Sequence, residues 1–292
     1  MMSDTIQTMK FPKINAAYNS VFRPDRLTIG LVLPLEAYQV GAEPTMKDQL
    51  AAARLAETLG FASLWLRDVP FNVPRFGDTG QMFDPFVYLG KLAATTDRIA
   101  LGTGSIILPL RHPEHVAKAA ATADVLSDGR LLLGVASGDR PEEYPAMAQT
   151  YHDRGERFRD SMAYIRAVAA DYPRHSGVQG SLDGQADMLP KPTAGRLPLL
   201  ITGGSQQSPD WVAEHGDGWI TYPRDAASQG RVIADYRARL KAQNQPNKPV
   251  MQSLYIDLLD DADAPARPIH LGVQSGTTFL RRYLQEIETL GV

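Results

Sequence analysis

A glycine-rich turn between two apolar segments has the residue types of an anion-binding site. In PLLITGGSQQSPDW, Gly203 and Gly204 permit backbone conformations that other residues avoid, and Ser205 and Gln206 add side-chain donors. The Ser-Pro pair at 208–209 is typical of a helix N-cap and first helical position. Backbone N–H groups at such a turn, together with the positive end of the following helix, bind phosphate without a lysine. A tight strand-to-helix turn that binds no ligand is the alternative.

The glycine turn follows the fifth of a series of predicted strands. The first four are the apolar runs at 27–35, 63–70, 99–108 and 131–138, and a helical pattern comes after each of them. Further strands are predicted to begin at 198, 218 and 249. This repeat predicts parallel strands joined by helical crossovers, so the fold class is α/β.

Seven strand–helix units favour a TIM-like (β/α)8 barrel, a fold of ~250 residues. The sequence reaches Val292 without an eighth strand, so we expect a barrel that lacks strand eight or is truncated before it. An open doubly wound sheet is the alternative, although no GxGxxG turn follows the first strand. In the first helix, Leu50, Leu55 and Leu59 fall on one side, which predicts that this side is buried.

The chain is expected to form one domain from residue 27 to residue 292, preceded by an N-terminal arm at 1–26. The arm is polar and aperiodic, so we expect it to be mobile or to lie on the surface. Residues 172–197 are rich in glycine, proline and polar residues, and we interpret them as an excursion with a short hairpin between helix four and strand five.

Composition excludes several classes of function. The 292 residues contain no cysteine, which rules out disulfides and thiolate metal sites. A net charge of -3 without a basic block argues against nucleic acid as a partner. The sequence shows no signal peptide and no run of ~20 apolar residues, so neither secretion nor a membrane span is expected. We therefore expect a cytoplasmic protein.

Functional groups of a barrel lie at the carboxyl ends of its strands. At those positions the sequence places mainly hydroxyls and small residues, with few acids and no lysine: Glu36, Asp68, Thr103, Gly104, Ser137, Gly138, Asp139, the glycine turn, Thr221 and Tyr222. His112 and His115 are separated by a proline and lack a third ligand, so no metal site is predicted. A phosphate site with few catalytic groups indicates that a bound cofactor performs the chemistry.

Three stretches of the sequence resemble the bacterial luciferase-like flavin monooxygenase family. They are RHPEHVAKAAATADVLSDGRLLLGVASGDRPEEYPAM at 111–147, RGERFRD at 154–160 and ITGGSQQSPDWVAEHGDGWITYPR at 201–224. The resemblance covers the chain from residue 27 to residue 292. It implies a TIM-like barrel, a reduced FMN or deazaflavin cofactor, and commonly a homodimer.

The resemblance also implies positions for the cofactor. It assigns the flavin phosphate to Gly203, Gly204, Ser205 and Gln206. It places Asp68, Thr103 and Ser137 with Gly138 along the isoalloxazine or ribityl chain. Tyr144 and Tyr222 are further candidates, as aromatic residues able to stack on or hydrogen-bond the cofactor. Loop capping is the alternative for Asp68, and plain packing is the alternative for the other residues.

Catalytic residues are not identified by the sequence. Arg111, His112 and Arg140 are candidates for contact with a substrate anion or a peroxyflavin oxygen, and a loop salt bridge is the alternative for them. One of Arg154, Arg157 and Arg159 is a further candidate for the phosphate. Specificity resides in the loops at 69–83 and 139–150, whose shape composition does not reveal.

The predicted function is an FMN-dependent monooxygenase that acts on a small organic substrate and dioxygen through a flavin peroxide, with reduced FMN supplied by a separate flavin reductase. No histidine ends strand two, where deazaflavin-using relatives often place one, and this favours FMN. A deazaflavin-dependent hydride-transfer enzyme and a flavin-binding protein without turnover are the alternatives.

Overall fold

A computed structural model describes residues 10–24, 26–36, 43–76, 80 and 82–292, which form two compact units. The first unit contains the described residues of 13–21 and 28–207. The second contains residues 208–292 and the described residues of 1–12 and 22–27. That residues 27–292 act as a single domain stays a prediction. The loop expected at 69–83 lies partly outside the described residues.

The first unit alternates strands and helices for most of its length. Its elements, in chain order, are α1 (Ala16–Val21), β1 (Gly30–Val32), α2 (Gln49–Thr58), β2 (Ser63–Leu66), α3 (Pro85–Ala93), β3 (Ala100–Thr103), β4 (Ile106–Ile107), α4 (Pro113–Leu126), β5 (Leu131–Ala136), α5 (Glu143–Ala146), α6 (Arg154–Ala167), β6 (Arg174–Gly177), β7 (Gly180–Asp183) and β8 (Leu199–Thr202). Short 3-10 helices lie at Pro74–Phe76 and Leu108–Leu110.

A parallel sheet with the strand order β1, β2, β3, β5 and β8 forms the core of the first unit. All residues of β2 and β3 are buried, as expected for strands covered on both faces. Gly102 in β3 has no side chain because a Cβ there would lie 2.4 Å from the Trp65 ring of β2. Since the strands are parallel, their carboxyl ends share one edge, and β4 extends that edge by pairing with β5.

The helices and strands of the second unit all come after residue 207. Its elements are α7 (Pro209–His215), β9 (Gly218–Thr221), α8 (Ala226–Ala242), β10 (Val250–Gln252), β11 (Tyr255–Leu258), β12 (Arg267–Ile269), β13 (Gly272–Ser275) and α9 (Thr277–Leu290). Strands β9 and β10 are parallel, and Ala213, Ile233, Tyr236, Leu240 and Val250 form a buried cluster beside them.

The predicted seventh strand is two strands in the structure. The apolar run from residue 249 ends as β10 at Gln252, and β11 belongs to a separate three-stranded sheet with β12 and β13. The sequence lacks a glycine or proline at this break, so one strand was the simpler prediction. The connection between β11 and α9 contains β12 and β13. Within the described residues, no further strand of the barrel series follows β10.

Part of the N-terminal arm is buried where the structure describes it. Tyr18 of α1 is fully buried, and the Asn15 side chain donates hydrogen bonds to Asp124 Oδ1 at 2.9 Å and to Leu131 O at 2.7 Å. The prediction of a mobile or surface-lying arm is therefore wrong for this part. The sequence hides the contact because both partners of Asn15 lie more than a hundred residues away.

The buried side of α2 also differs from the prediction. Leu55 and Leu59 are 57% and 67% exposed, whereas Ala53 and Ala56 are buried. Small alanine side chains let α2 approach the sheet closely, so the larger leucines lie on the outer face. The hairpin predicted within 172–197 is confirmed as the antiparallel pair β6 and β7. In the part of the chain that the structure describes, no helix is long and apolar enough to cross a membrane.

Candidate functional site

Asp68 follows β2 at the carboxyl edge of the first unit and is bound within the protein. Its carboxylate accepts from Arg111 Nε at 2.9 Å, Arg111 Nη2 at 2.7 Å and the Ile107 N–H at 3.1 Å. Asp84 accepts from Arg111 Nη2 at 3.1 Å. Burial by itself lowers the pKa of Arg111, but hydrogen bonding and charge pairing with Asp68 raise that pKa above its ordinary value. The pair fixes the segment after β4 in place.

The hydroxyls at the ends of β3 and β5 lie in the wall of the sheet. Thr103 is fully buried and donates to Gly134 O at 2.8 Å, and Ser137 is 5% exposed. Gly138 has φ +76°, and a Cβ there would lie 2.7 Å from Ile107 Cγ2 and 3.0 Å from Tyr144 Oη. The chain therefore leaves β5 through a turn that requires glycine.

Tyr144 supports this turn from within the protein. Its ring is fully buried among Ile107, Leu110 and Tyr151, and its hydroxyl donates a short hydrogen bond to Ser137 O. Burial raises the pKa of the Tyr144 hydroxyl above its ordinary value. The geometry gives Tyr144 a role in holding the 137–138 backbone; direct contact with a cofactor stays a prediction.

A second buried ion pair lies just beyond β5. Arg140 is 4% exposed and Glu143 is fully buried, with Arg140 Nη1 at 3.3 Å from Glu143 Oε1 and the guanidinium 4.9 Å from the Phe76 ring centre. Burial raises the pKa of Glu143, and the charge of Arg140 opposes this only in part. Among the described residues, Glu143 Oε2 has no hydrogen-bond partner. Glu143 was not among the residues predicted from the sequence, although its i, i+3 spacing from Arg140 was a usable signal.

His112 is the N-cap of α4. Its Nδ1 accepts from the Glu114 N–H at 3.4 Å, and its ring meets that of His115 edge-on at 5.8 Å between centroids. The ring is exposed. Within the described ranges, no group of three or more His, Cys, Asp or Glu side chains is arranged to hold a metal ion.

The glycine turn after β8 adopts an unusual backbone. Gly203, Ser205 and Gln206 have φ values of +55°, +44° and +62°, whereas Gly204 does not have positive φ. The Gln207 N–H closes the turn on Gly204 O at 2.8 Å, and Ser205 Oγ donates to Thr202 O at 2.7 Å. In the described part of the chain, the N–H groups of Gly204, Ser205 and Gln206 donate to no backbone carbonyl. This tight turn thus has three neighbouring amide N–H groups without a backbone acceptor.

Helix α6 holds this turn by close contact at Gly155. A Cβ on Gly155 would lie 2.9 Å from Gln206 Cβ and 3.3 Å from Gln206 O. Gln207 Nε2 donates to Gly155 O at 2.8 Å, and Arg159 Nη1 donates to Gln207 Oε1 at 2.9 Å. The hydroxyls of Thr202 and Ser105 share a short hydrogen bond, which ties the end of β8 to the segment after β3. Gly155 was not among the residues predicted from the sequence, although a glycine in the first turn of a helix was a usable signal.

The other two candidate arginines of α6 differ in their contacts. Arg154 lies over the Tyr151 ring at 3.6 Å and donates to Tyr151 O at 2.8 Å. Arg157 makes two long hydrogen bonds to Pro109 O, at 3.3 and 3.4 Å. Tyr222, the remaining candidate, follows β9 in the second unit and is 43% exposed.

The residues present fit a phosphate-bearing cofactor. Backbone N–H groups in a turn with positive φ form a concave set of donors that suits an anion, and the close α6 backbone at Gly155 keeps the turn from opening. The structure brings Asp68, Thr103, Ser137, Gly138 and Tyr144 to the strand-end edge that also carries this turn, because β2, β3, β5 and β8 are parallel neighbours. Such an edge is where α/β folds bind cofactors.

The fold and this edge are those of a barrel that binds a cofactor at its strand ends, and comparison with known proteins gives the family. Residues 28–276 match the model of the luciferase-like monooxygenase family. The chain belongs to this family, as its sequence motifs indicated, and its fold is the TIM-like barrel type of the family.

Among relatives, an uncharacterized protein of Mycobacterium tuberculosis is 32% identical over 191 residues, which are 60% of this chain and 67% of the relative. An F420-dependent glucose-6-phosphate dehydrogenase of Beutenbergia cavernae is 32% identical over 195 residues, which are 63% of this chain and 55% of that protein. The crystal structure of monooxygenase RslO1 from Streptomyces bottropensis has a TM-score of 0.69 and 24% identity, over 81% of this chain and 73% of that one. Both FMN and F420 occur among the proteins similar to this chain.

Proposed function

We propose that this protein is an FMN-dependent monooxygenase that acts on a small organic substrate and dioxygen. The observation that carries the proposal is the 203–207 turn, which presents three backbone N–H groups and is fixed by α6 at Gly155. Such a turn supports binding of the phosphate of a flavin mononucleotide. Bound reduced FMN would supply the electrons for activation of dioxygen.

The chain's own residues hold and enclose the cofactor in this proposal. The amides of Gly204, Ser205 and Gln206 bind the phosphate, and the 137–138 backbone, held by Tyr144, gives the wall beside the ribityl chain its shape. The ion pairs of Asp68 with Arg111 and of Arg140 with Glu143 keep the flanking loops rigid. A rigid, dry wall excludes water from the reacting atoms.

The preference for FMN over a deazaflavin depends on which residue stands at the end of β2. Asp68 stands there, committed to Arg111, where deazaflavin-using relatives often have a histidine. This favours FMN. A deazaflavin-dependent hydride-transfer enzyme is the second candidate, supported by the F420-dependent name of a relative with 32% identity.

Direct titration separates the two candidates. The purified chain is mixed with FMN, reduced FMN or F420 under anaerobic conditions, and binding is followed by absorbance and protein fluorescence. The proposal expects saturable binding of reduced FMN at micromolar concentration and F420 affinity at least about tenfold weaker, a difference of about 1.4 kcal/mol. Tighter binding of F420 would replace the proposal by the second candidate, and binding of neither cofactor would end both.

Turnover is tested separately from binding. The acid and base groups nearest the cofactor wall are paired with one another, which supports a flavin-binding protein without turnover as a further alternative. Oxygen consumption and product analysis over a panel of small organic substrates, with reduced FMN from an added flavin reductase, decide the matter. Substrate-dependent product formation is expected, whereas oxidation of the flavin alone would favour the alternative.

A homodimer is proposed for the active form. Leu55 and Leu59 on α2 and Val87 on α3 are 57%, 67% and 75% exposed, and apolar helix faces of this kind support association. Sedimentation velocity at micromolar concentration is expected to give the mass of two chains. A single species of 32.0 kDa would contradict this part of the proposal.

A further inference from the structure

Arg224 follows β9 in the second unit and is anchored through only one of its nitrogens. Nη1 donates to Thr221 Oγ1 at 2.7 Å, to Tyr222 O at 2.8 Å and to Gln229 Oε1 at 3.2 Å. Thr221 and Gln229 are 1% and 0% exposed. Arg224 is an exposed residue, but hydrogen bonds to the buried side chains of Thr221 and Gln229 fix its position.

The rest of the guanidinium is free to bind a ligand. Within the described residues, Nε and Nη2 of Arg224 have no hydrogen-bond acceptor, and no carboxylate forms an ion pair with Arg224. The adjacent Asp225 does not supply one, because its carboxylate accepts from the Ser228 N–H at 2.9 Å as the N-cap of α8. Hydrogen bonds from Ser228 lower the pKa of Asp225.

Two other fixed arginines of the chain use all three of their guanidinium nitrogens as donors. Arg239, on α8 in the same unit, donates to Asp235 and Asp210 through three nitrogens. Arg130, in the first unit, donates to four backbone carbonyls and a threonine hydroxyl. Arg224 differs from both because anchoring uses one nitrogen and leaves the Nε–Nη2 edge open.

The side chain of Gln229 is an independent indication that a hydrogen-bond acceptor is missing beside Arg224. Its Oε1 holds Arg224, whereas its buried Nε2 has no hydrogen-bond partner among the described residues. Buried side-chain donors are nearly always satisfied in folded proteins, so an unpartnered one next to an open guanidinium indicates a missing acceptor. Water or a ligand oxygen would satisfy it.

We propose that Arg224, anchored on Thr221 and Gln229, binds an oxyanion of a small-molecule ligand, a carboxylate or phosphate, through its Nε–Nη2 edge. A planar guanidinium with two parallel N–H groups matches two oxygens of one such group. Anchoring on buried partners removes much of the rotamer freedom that a surface arginine would lose on binding. The inference does not rest on the flavin, whose phosphate is assigned to the amides of the 203–207 turn.

Anion titration of the intact chain tests this site. Acetate and inorganic phosphate are the probes, at constant ionic strength maintained with sodium chloride, and the backbone amide resonances of Tyr222 and Ser228 are followed by NMR. We expect saturable shifts with a dissociation constant on the order of 10 mM for at least one probe. Shifts that rise linearly, as chloride would give, would overturn the proposal.

Variants distinguish a built site from general attraction of anions. Arg224→Gln is expected to weaken binding at least about tenfold, and Arg224→Lys about threefold or more, because lysine keeps the charge but lacks the two-pronged edge. Arg231→Gln is the matched control, since Arg231 is an exposed arginine of α8 that donates to Ser228 Oγ at 2.8 Å. Equal losses for Arg224→Gln and Arg231→Gln, or no loss for either, would overturn the proposal.

The relative response of the two probes identifies the ligand group. Tighter saturation by acetate assigns a carboxylate, and tighter saturation by phosphate assigns a phosphate. FMN affinity, measured in the same variants, is expected to change less than about twofold. If FMN fails to bind the wild-type chain but the anion site saturates, the function proposed above is wrong and the Arg224 site stands.

Discussion

Arg111 and Arg224 both follow a strand of the barrel series, but they differ in what their guanidinium groups contact. The Nε–Nη2 edge of Arg111 is filled, because Asp68 accepts from Nε and Nη2 and Asp84 also accepts from Nη2. Arg224 is held by Nη1 alone and has no carboxylate partner within the described residues. Arginine therefore stabilises the fold at one strand end, as Arg111, and has donors available for a ligand at another, as Arg224.

This contrast teaches where to look for chemistry at the strand ends. Sequence motifs pointed to Arg111, His112 and Arg140 as candidates, yet the structure pairs Arg111 with Asp68, caps α4 with His112 and buries Arg140 against Glu143. Among the described residues, the groups that remain available include backbone amides of the 203–207 turn and one edge of Arg224. A charged side chain is a better functional candidate when its donors are unfilled than when it is merely near a strand end.

Loss of a filled ion pair should have the largest effect on stability. Asp68→Asn removes one charge of a pair whose carboxylate is 1% exposed, so we expect a loss of about 3 kcal/mol in the free energy of unfolding. Arg224→Gln removes only an exposed charge with neutral partners and is expected to lose less than about 1 kcal/mol. Urea denaturation of both variants measures the difference. Equal losses would contradict the distinction between the two arginines.

The contact between α6 and the glycine turn is tested by Gly155→Ala. Its new methyl group would lie 2.9 Å from Gln206 Cβ and must displace the turn, so FMN affinity should fall about tenfold, or about 1.4 kcal/mol. Isothermal titration calorimetry gives the affinity. If it stays within twofold of the wild-type value, the turn is not held by α6 in the way that the structure indicates.

The pH dependence of stability reports on the buried Arg140–Glu143 pair. The pKa of Glu143 is raised above its ordinary value of 4.5 by burial, so in the folded state it keeps a proton that the unfolded chain has already lost. Its contribution to stability is present below pH 4.5 and is lost as the pH rises through the folded-state pKa. Glu143→Gln does not titrate, so its stability relative to the wild type should increase over this range.

Denaturation of Glu143→Gln and of the wild type at several pH values measures this trend. A constant difference between Glu143→Gln and the wild type across the same range would mean that Glu143 stays ionised.

A smaller effect is expected from Gly90→Ala, which is the control for Gly155→Ala. A Cβ on Gly90 in α3 meets no atom within 4 Å, so the variant should gain about 0.5–1 kcal/mol of stability from helix propensity alone. Its FMN affinity should not change. A loss of affinity in Gly90→Ala as large as in Gly155→Ala would show that any helix substitution disturbs the site.

Sequence patterns predicted the strand–helix series well because buried parallel strands require continuous apolar runs, as in 63–66 and 131–136. They assigned the wrong side of α2 to the core, since alanines rather than Leu55 and Leu59 face the sheet. Periodicity of large apolar residues does not reveal a face that is built from small ones.

Individual contacts of the candidate site were harder to predict from the sequence than the strands and helices. The glycine turn was found because glycine, serine and proline have strong local preferences. Asp68 and Arg111 are 43 residues apart and Gly155 and Gln207 are 52 apart, so no local pattern joins them. The open edge of Arg224 depends on which of its nitrogens the fold occupies, and only three-dimensional geometry gives that.

The central claim, that the 203–207 turn binds a flavin phosphate, is tested most directly by comparing FMN with riboflavin, which lacks the phosphate. The account predicts that FMN binds about 100-fold tighter, the equivalent of about two charge-assisted hydrogen bonds. Gly203→Ala, at φ +55°, should remove most of that advantage, whereas Gly195→Ala, at φ +72° with no atom near its Cβ, should not. Equal affinity for FMN and riboflavin in the wild-type chain would contradict the account.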